Sequence, residues 1–348
     1  VDDIDDIIHL LGQIKQCFDQ PFDVQGQSHS ITATMGVAVY PQSGLDADTL
    51  LRNADIALYR AKEQGRNTYQ FYTEGMQQRE VMRLELDKDL SQALANNEFV
   101  LFYQPQLNLN TGEIQSVEAL IRWRHPRRGL LPPVEFIPLA EESGRITDIG
   151  RWVVMAACRQ LAAWKGTPHE GLRIAVNLSG RELDDEDLVD HIREALAAEN
   201  VPANRLEVEL TEEIFIQNIE HNLNQLSRLH QLGVHLAIDD FGVGYSSLGY
   251  LRDFPVDLLK IDRSFITEVT ERHDDAVITR AVINLAHNLG IEVVAEGVET
   301  EEQLSFLKNH RCNFAQGYLI SRPIPVSDLE KALASGVLVA GITADSGL

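Results

Sequence analysis

The sequence predicts an α/β fold: a modified (β/α)8 barrel with an antiparallel first strand, preceded by a partial α+β segment. Three observations carry this. From Phe99 onward, short apolar runs alternate with amphipathic stretches, the pattern of right-handed βαβ units and a parallel sheet. About eight such runs fall within roughly 250 residues, the size of a (β/α)8 barrel. The first two runs are separated only by the turn Asn110-Thr111-Gly112, too short for a crossover helix, so they form a hairpin.

Residues 1–72 read as part of a separate domain. Ile4 to Phe18 has the apolar spacing of a helix. Asp23 to Tyr40 reads as two strands around Gln25-Gly26-Gln27, the second being ITATMGVAVY. Asp46 is a candidate N-cap for a helix with Leu50, Ala54, Leu58 and Ala61 on one face, and Gly65 ends it. Asn67 to Tyr72 reads as a last strand. Two helices and three strands leave apolar faces without evident partners. Residues 73–97 lack the Gly, Ser and Pro of a free linker, while Leu86, Leu90, Ala93 and Leu94 sit at helical spacing. A connecting helix packed on the barrel is expected there.

The barrel itself is expected over 98–335. Its strands are predicted at 99–107, 114–121, 173–179, 206–211, 235–239, 257–261, 292–296 and 314–318, with helices such as 148–164, 217–232 and 275–289 between them. Glu182 to Asp187 falls in the first turn of a predicted helix, where negative charge is favourable. Arg124 and His125, beside Pro126, read as surface groups. Residues 336–348 are small and apolar without periodicity, and a frayed tail is expected.

Composition narrows the function classes. Hydrophobic content of 44% and charged content of 24% are those of a globular protein. A net charge of −23 argues against nucleic acid or an anionic membrane surface as a partner. A small anionic ligand is compatible only where metal ions or local Arg and Lys reverse the field. Cys17, Cys158 and Cys312 are far apart and odd in number, which fits a reducing compartment better than a disulfide framework or a zinc site. No apolar run spans a bilayer and no signal peptide opens the chain, so a cytoplasmic location is expected, with any membrane anchor of a longer parent outside this sequence.

In a barrel of this kind, functional groups gather at the C-terminal ends of strands. Acids and amides stand there repeatedly: Glu118 in IQSVEAL, Asn177 in IAVNLS, Glu209 and Glu212 in LEVELTE, Asp239 and Asp240 in LAIDD, Glu296 in EVVAEG and Gln316 in FAQGY. Lys260, in LLKID, is the one cation. After Asp240 the stretch FGVGYSS is punctuated by Gly242 and Gly244, with serines able to cap a helix. The donors are all oxygen, which suits Mg²⁺ or Mn²⁺ rather than zinc. Five or six carboxylates exceed what one octahedral ion takes. Two ions about 3.5–4 Å apart, bridged by Asp239 with Asp240 on the second, suit in-line displacement at a phosphate.

The same stretches carry a resemblance. EALIRWRHP (118–126), FIPLAEESG (136–144), NLS (177–179), ELTE (209–212), DDFGVGYSSLGYL (239–251), LKIDRSF (259–265), AEGVET (295–300) and QGYLISRP (316–323) resemble the EAL-domain phosphodiesterases over residues 98–334. That family has a TIM-like barrel and hydrolyses cyclic di-GMP to linear pGpG with Mg²⁺ or Mn²⁺, Ca²⁺ being inhibitory. Val243 departs from its commoner Thr. The resemblance implies Glu118, Asn177, Glu209 and Asp239 as ligands of a first metal, and Asp239, Asp240 and Glu296 as ligands of a second. It implies that Lys260 holds the attacking water, that Glu296 is either general base or ligand, and that Asp240 takes part in catalysis. Gln104, Arg122 and Gln316 are implied as substrate contacts, and Glu212 as the anchor of the 240–250 loop. A homodimer through the region after Asp240 is also implied. The alternative is a receptor that binds cyclic di-GMP without cleaving it, whose degenerate members lose metal ligands. Residues 1–72, with TMGVAVYPQSG and LLRNADIALYRAKEQGRNTYQFY, resemble the C-terminal half of a GGDEF domain without its signature turn, which implies an upstream region of a longer parent and no cyclase activity from this segment.

Overall fold

The structure, a computed structural model, describes residues 4–18, 20, 22–24, 27–63, 65, 67–215, 218–243 and 251–335. They form two units that divide between Asp89 and Leu90. The Gly244–Tyr250 stretch with its two serines and the 336–348 tail lie outside the described residues.

The first unit holds helix α1 (Ile4–Gln16), a hairpin of β1 (Phe22–Val24) and β2 (Gln27–His29), then β3 (Met35–Val37), α2 (Ala47–Glu63) and β4 (Tyr69–Phe71). Asp46 caps α2, accepting the Thr49 N–H at 2.8 Å. The expected strand ITATMGVAVY is not the hairpin's second arm. Only Met35–Val37 of it is strand, and that strand pairs in parallel with β4 across α2, a βαβ unit. Helix α3 (Glu74–Ala93) comes next, with Leu86, Leu90 and Ala93 buried.

In the second unit, β5 (Phe99–Asn108) and β6 (Ile114–His125) form the predicted antiparallel hairpin. Asn108 holds its turn, accepting the N–H groups of Asn110 and Thr111 at 2.9 and 3.0 Å. Beyond it run β7 (Gly129–Leu131), α4 (Ile137–Glu142), α5 (Ile146–Ala163), β8 (Arg173–Asn177), α6 (Gly180–Leu183), α7 (Leu188–Ala198), β9 (Leu206–Thr211), α8 (Ile219–Leu232), β10 (His235–Phe241) and β11 (Leu258–Ile261). The chain continues through α9 (Arg263–Thr267), α10 (His273–Asn288), β12 (Glu292–Ala295), α11 (Glu301–Asn309), β13 (Phe314–Ala315), β14 (Ile324–Pro325) and α12 (Val326–Ser335). Strands β6, β8, β9, β10, β11, β12 and β13 pair in parallel in that order, and β5 closes the barrel antiparallel to both β6 and β13. In the barrel, Ala237, Leu258, Val294 and Phe314 pack together as an apolar cluster. Removing the larger three of these side chains, Leu258, Val294 and Phe314, from water stabilises the fold by about 1.5–3 kcal/mol each.

Three local readings are corrected. Strand β6 runs past 121 to His125 because β7 pairs with it, Trp123 opposite Leu131 and His125 opposite Gly129. His125 is therefore buried, its ring 4.8 Å from that of Trp123 and its Nδ1 accepting the Arg127 N–H at 3.1 Å. Strand β13 is shorter than 314–318, because a Cβ on Gly317 would lie 2.1 Å from the Val298 carbonyl oxygen, so the chain turns there on a residue without one. Glu182 does stand in the first turn of α6, as expected, but there it is buried. It forms a capping box with Ser179, whose N–H and hydroxyl it accepts at 2.9 and 2.6 Å.

Candidate active site

The register of the parallel strands brings separate residues to one level. Asn177 pairs with Glu209, and Glu209 with Ala237, so Asp239 stands one inward step above Glu209 on the neighbouring strand. Lys260 on β11 points into the same space and is fully buried. Its Nζ lies 2.7 Å from Glu209 Oε2, 2.8 Å from Glu296 Oε1, 3.2 Å from Asp239 Oδ1 and 3.6 Å from Glu118 Oε2. Acids from β6, β9, β10 and the end of β12 thus share one ammonium.

The pair Asp239–Asp240 needs a break in the strand. In a regular strand, neighbours face opposite sides. Here Ile238 pairs with Leu259 but Phe241 pairs with Ile261, so two residues of β10 oppose Lys260 alone. This is a β-bulge, and Asp240 occupies its left-handed step at φ 54°. As a result Asp239, Asp240 and Glu296 each bring a carboxylate oxygen within 4.8 Å of the others.

Electrostatics follow from this crowding. Burial alone lowers a lysine pKa, but Glu118, Glu209, Glu296 and Asp239 outweigh it and hold Lys260 well above its usual value. Burial likewise raises the carboxyls, and the acids divide by their donors. Glu118 receives Gln316 Nε2 at 2.5 Å and Asn177 Nδ2 at 2.7 Å besides Lys260, and these together hold it below the ordinary range. Glu209 has Lys260 alone and three acidic neighbours, so burial carries it well above. Burial, with Asp239 and Glu118 adding, takes Glu296 to about 8. Burial and Asp239 push Asp240 up to about 6.

Asp262, one inward step beyond Lys260, belongs to the site although no sequence argument singled it out. Its side chain hydrogen-bonds Asp240. Burial raises it, but its hydrogen bonds to the hydroxyl and N–H of Ser264, the latter at 2.9 Å, outweigh this and hold it below the ordinary carboxylate range. The sequence does carry a sign of it: an acid two residues after a buried strand lysine shares that lysine's face.

Gln316 and Gln104 join the same network. Gln316 Nε2 also donates to Gln104 Oε1 at 3.1 Å, and Gln104 Nε2 to the Ser321 carbonyl at 3.1 Å. Arg122 stands higher on β6, its guanidinium 5.6 Å above the Phe102 ring and its Nη1 on the Ile121 carbonyl. Glu212 is buried and accepts the Gly242 N–H at 2.9 Å. Gly242 has φ 101°, and a Cβ there would lie 2.8 Å from the Phe265 ring, so this anchor point requires glycine.

The residues fit divalent cations. One ammonium faces four carboxylates, a net −3 when all ionise. Glu209 Oε1 is buried with no hydrogen-bond partner among the described residues. An all-oxygen cluster with surplus charge and an orphaned buried oxygen suits a hard cation.

Comparison with known proteins points the same way. Residues 87–323 match the EAL domain family, and residues 1–68 match the GGDEF domain of diguanylate cyclases. The chain is 44% identical over 326 residues to the cyclic di-GMP phosphodiesterase NbdA of Pseudomonas aeruginosa, covering 93% of this chain and 42% of that protein. It is 39% identical over 300 residues to the cyclic di-GMP phosphodiesterase PdeR of Escherichia coli, covering 86% and 45%. The chain thus spans less than half the length of these curated relatives. Among solved structures, the PaMucR phosphodiesterase in complex with c-di-GMP is 44% identical, with a TM-score of 0.68 over 70% of this chain and 99% of that one. The EAL enzyme Bd1971 bound to cAMP and cyclic di-GMP is 31% identical, with a TM-score of 0.69 over 83% and 76%.

Proposed function

This chain belongs to the EAL-domain family, and we propose that it hydrolyses cyclic di-GMP to linear pGpG. The observation that supports this best is the convergence of Glu118, Glu209, Asp239 and Glu296 on Lys260 at the barrel's C-terminal mouth. A receptor of the non-catalytic kind would be expected to lack part of this set.

Glu118, Asn177, Glu209 and Asp239 would hold one ion, Mg²⁺ or Mn²⁺, and Asp239, Asp240 and Glu296 a second. Bound there, such ions supply Lewis-acid polarisation of phosphate oxygens and acidify water. The chain's own groups do the rest. Arg122 presents a fork suited to paired phosphate oxygens. Gln104 and Gln316 offer amide donors and acceptors to the substrate. Lys260 orients the attacking water and opposes negative charge that grows at phosphorus. Water oxygen bonds to phosphorus as the P–O3′ bond breaks, and the O3′ alkoxide takes a proton from solvent. The proton that water releases passes into the acid network, with Glu296 proposed either as the base that accepts it or as a ligand of the second ion. The cytoplasm, where a cyclic dinucleotide is made and consumed, is the proposed location, and an upstream GGDEF region of a longer parent fits the match at residues 1–68. Among the described residues no helix is long and apolar enough to cross a membrane.

Incubation with cyclic di-GMP and Mn²⁺, followed by chromatography, tests the proposal. Appearance of pGpG is expected; binding without turnover would favour the receptor. A homodimer is proposed as the working form, and a monomer in light scattering under full turnover would remove it. No cyclic di-GMP should form from GTP, since the chain carries no GGDEF turn.

A further inference from the structure

Beneath the acid cluster lies a second buried layer. On the β5–β6 hairpin, Gln104 pairs with Glu118, and Gln106 pairs with Ser116 one inward step below. Gln106 and Ser116 are both 0% exposed. The Ser116 hydroxyl donates to Gln106 Oε1 at 2.5 Å, and Gln106 Nε2 donates to Gln316 Oε1 at 3.0 Å. Gln316 Nε2 then donates upward, to Glu118 Oε2 and Gln104 Oε1.

We propose that Gln106 and Ser116 are positioning residues that lock the Gln316 amide with its NH2 facing Glu118 and Gln104. A primary amide can turn over and exchange its oxygen and nitrogen. Both Glu118 oxygens serve as acceptors, Oε1 from the Asn177 amide at 2.7 Å and Oε2 from Gln316 at 2.5 Å, so Gln316 must show it N–H. That requires a donor beneath Gln316 to receive its carbonyl, and Gln106 Nε2 is that donor. A hydroxyl can donate or accept, so Ser116 takes the sense imposed from the Glu118 end, and in that sense it gives its proton to Gln106 Oε1. The polarity of the whole chain, from Ser116 to Glu118, is then single-valued. The same lock leaves Gln104 with its oxygen engaged on Gln316 and its NH2 on Ser321, so the hydrogen that Gln104 can still offer is a donor, suited to a phosphate or carbonyl oxygen of the ligand. Without Gln106, a turned Gln316 would set a carbonyl against the Glu118 carboxylate and displace it from the place where it would hold a cation.

The inference rests on the metal-dependent reading of this site, and the experiment separates the two. Mn²⁺ binding to the full chain is measured without substrate by calorimetry, and turnover of cyclic di-GMP is measured apart from it. Gln106→Leu keeps the volume and removes the donor. Loss of such a supporting hydrogen bond is expected to weaken Mn²⁺ binding about tenfold or more, with turnover falling in parallel at low Mn²⁺ and recovering in part at saturation. Ser116→Ala, the milder variant should Gln106→Leu not fold, is expected to lose less, about threefold, in the same measurements. If Gln106 acts through Gln316, then Gln106→Leu/Gln316→Leu will be no worse than Gln316→Leu. Losses that add, or wild-type Mn²⁺ affinity in Gln106→Leu and Ser116→Ala, would overturn the proposal. A wild-type chain that binds Mn²⁺ but releases no pGpG would instead overturn the functional reading and leave the binding cycle to judge the lock.

Discussion

Asp240 succeeds Asp239 in a left-handed step at φ 54°, and this single conformation brings two adjacent carboxylates to one side of the barrel mouth. Asp239 also lies 3.2 Å from Lys260 Nζ, and Glu296 at 2.8 Å shares that ammonium with it. On the proposed reading, Asp239 is the ligand shared by the two ions.

Asp239→Asn keeps the shape and removes a charge. Turnover is expected to fall about a thousandfold, equivalent to roughly 4 kcal/mol of barrier. Metal-free stability should hold or rise, since the clustered acids repel. Cyclic di-GMP binding in Ca²⁺ should weaken less, because Gln104 and Arg122 remain. Glu302→Gln, on the exposed face of α11, is the control. Retention of more than about a tenth of the rate, a loss under roughly 1.4 kcal/mol, would exclude a bridging role.

Divalent ions are expected to decide activity. Mg²⁺ and Mn²⁺ are expected to activate, and Ca²⁺ to inhibit, because Ca²⁺ takes longer bonds and looser geometry. Activity assays in excess chelator check this; undiminished turnover there would remove metal from the reaction.

Glu212 acts through Gly242. Glu212→Ala leaves the Gly242 N–H without its acceptor. A stability loss of about 1–3 kcal/mol is expected. Turnover should drop at least about tenfold, or 1.4 kcal/mol, since Gly242 stands two residues past Asp240. Steady-state kinetics with wild-type turnover would break this coupling.

Glu182 gives a pH signature remote from the metal ligands. Burial raises its carboxyl to about 7 in the folded chain, against 4.5 for an unperturbed glutamate. A raised acid pKa means that the folded state holds the proton longer, so its contribution is lost as pH climbs through that window. Glu182→Gln cannot ionise. It should match the wild type near pH 4 and exceed it at pH 8 by up to about 3 kcal/mol. Urea unfolding at both pH values decides; equal stability at pH 8 would refute the assignment.

Much of this protein was written locally. The alternation after Phe99 determined a barrel, and the short turn at Asn110–Gly112 determined its antiparallel start, because each strand's apolar pattern and turn chemistry act over a few residues. Acids at strand ends predicted where a site would form, since the barrel brings all such ends to one mouth. Local pattern did not decide which groups touch. The bulge at Asp239–Asp240, the enclosure of Lys260, the Asp240–Asp262 hydrogen bond and the Ser116–Gln106–Gln316–Glu118 chain all depend on register between strands far apart in sequence. The same holds for His125, which only the added strand Gly129–Leu131 buries. Closure of the barrel by β5 sets that register, and no short stretch of sequence encodes it.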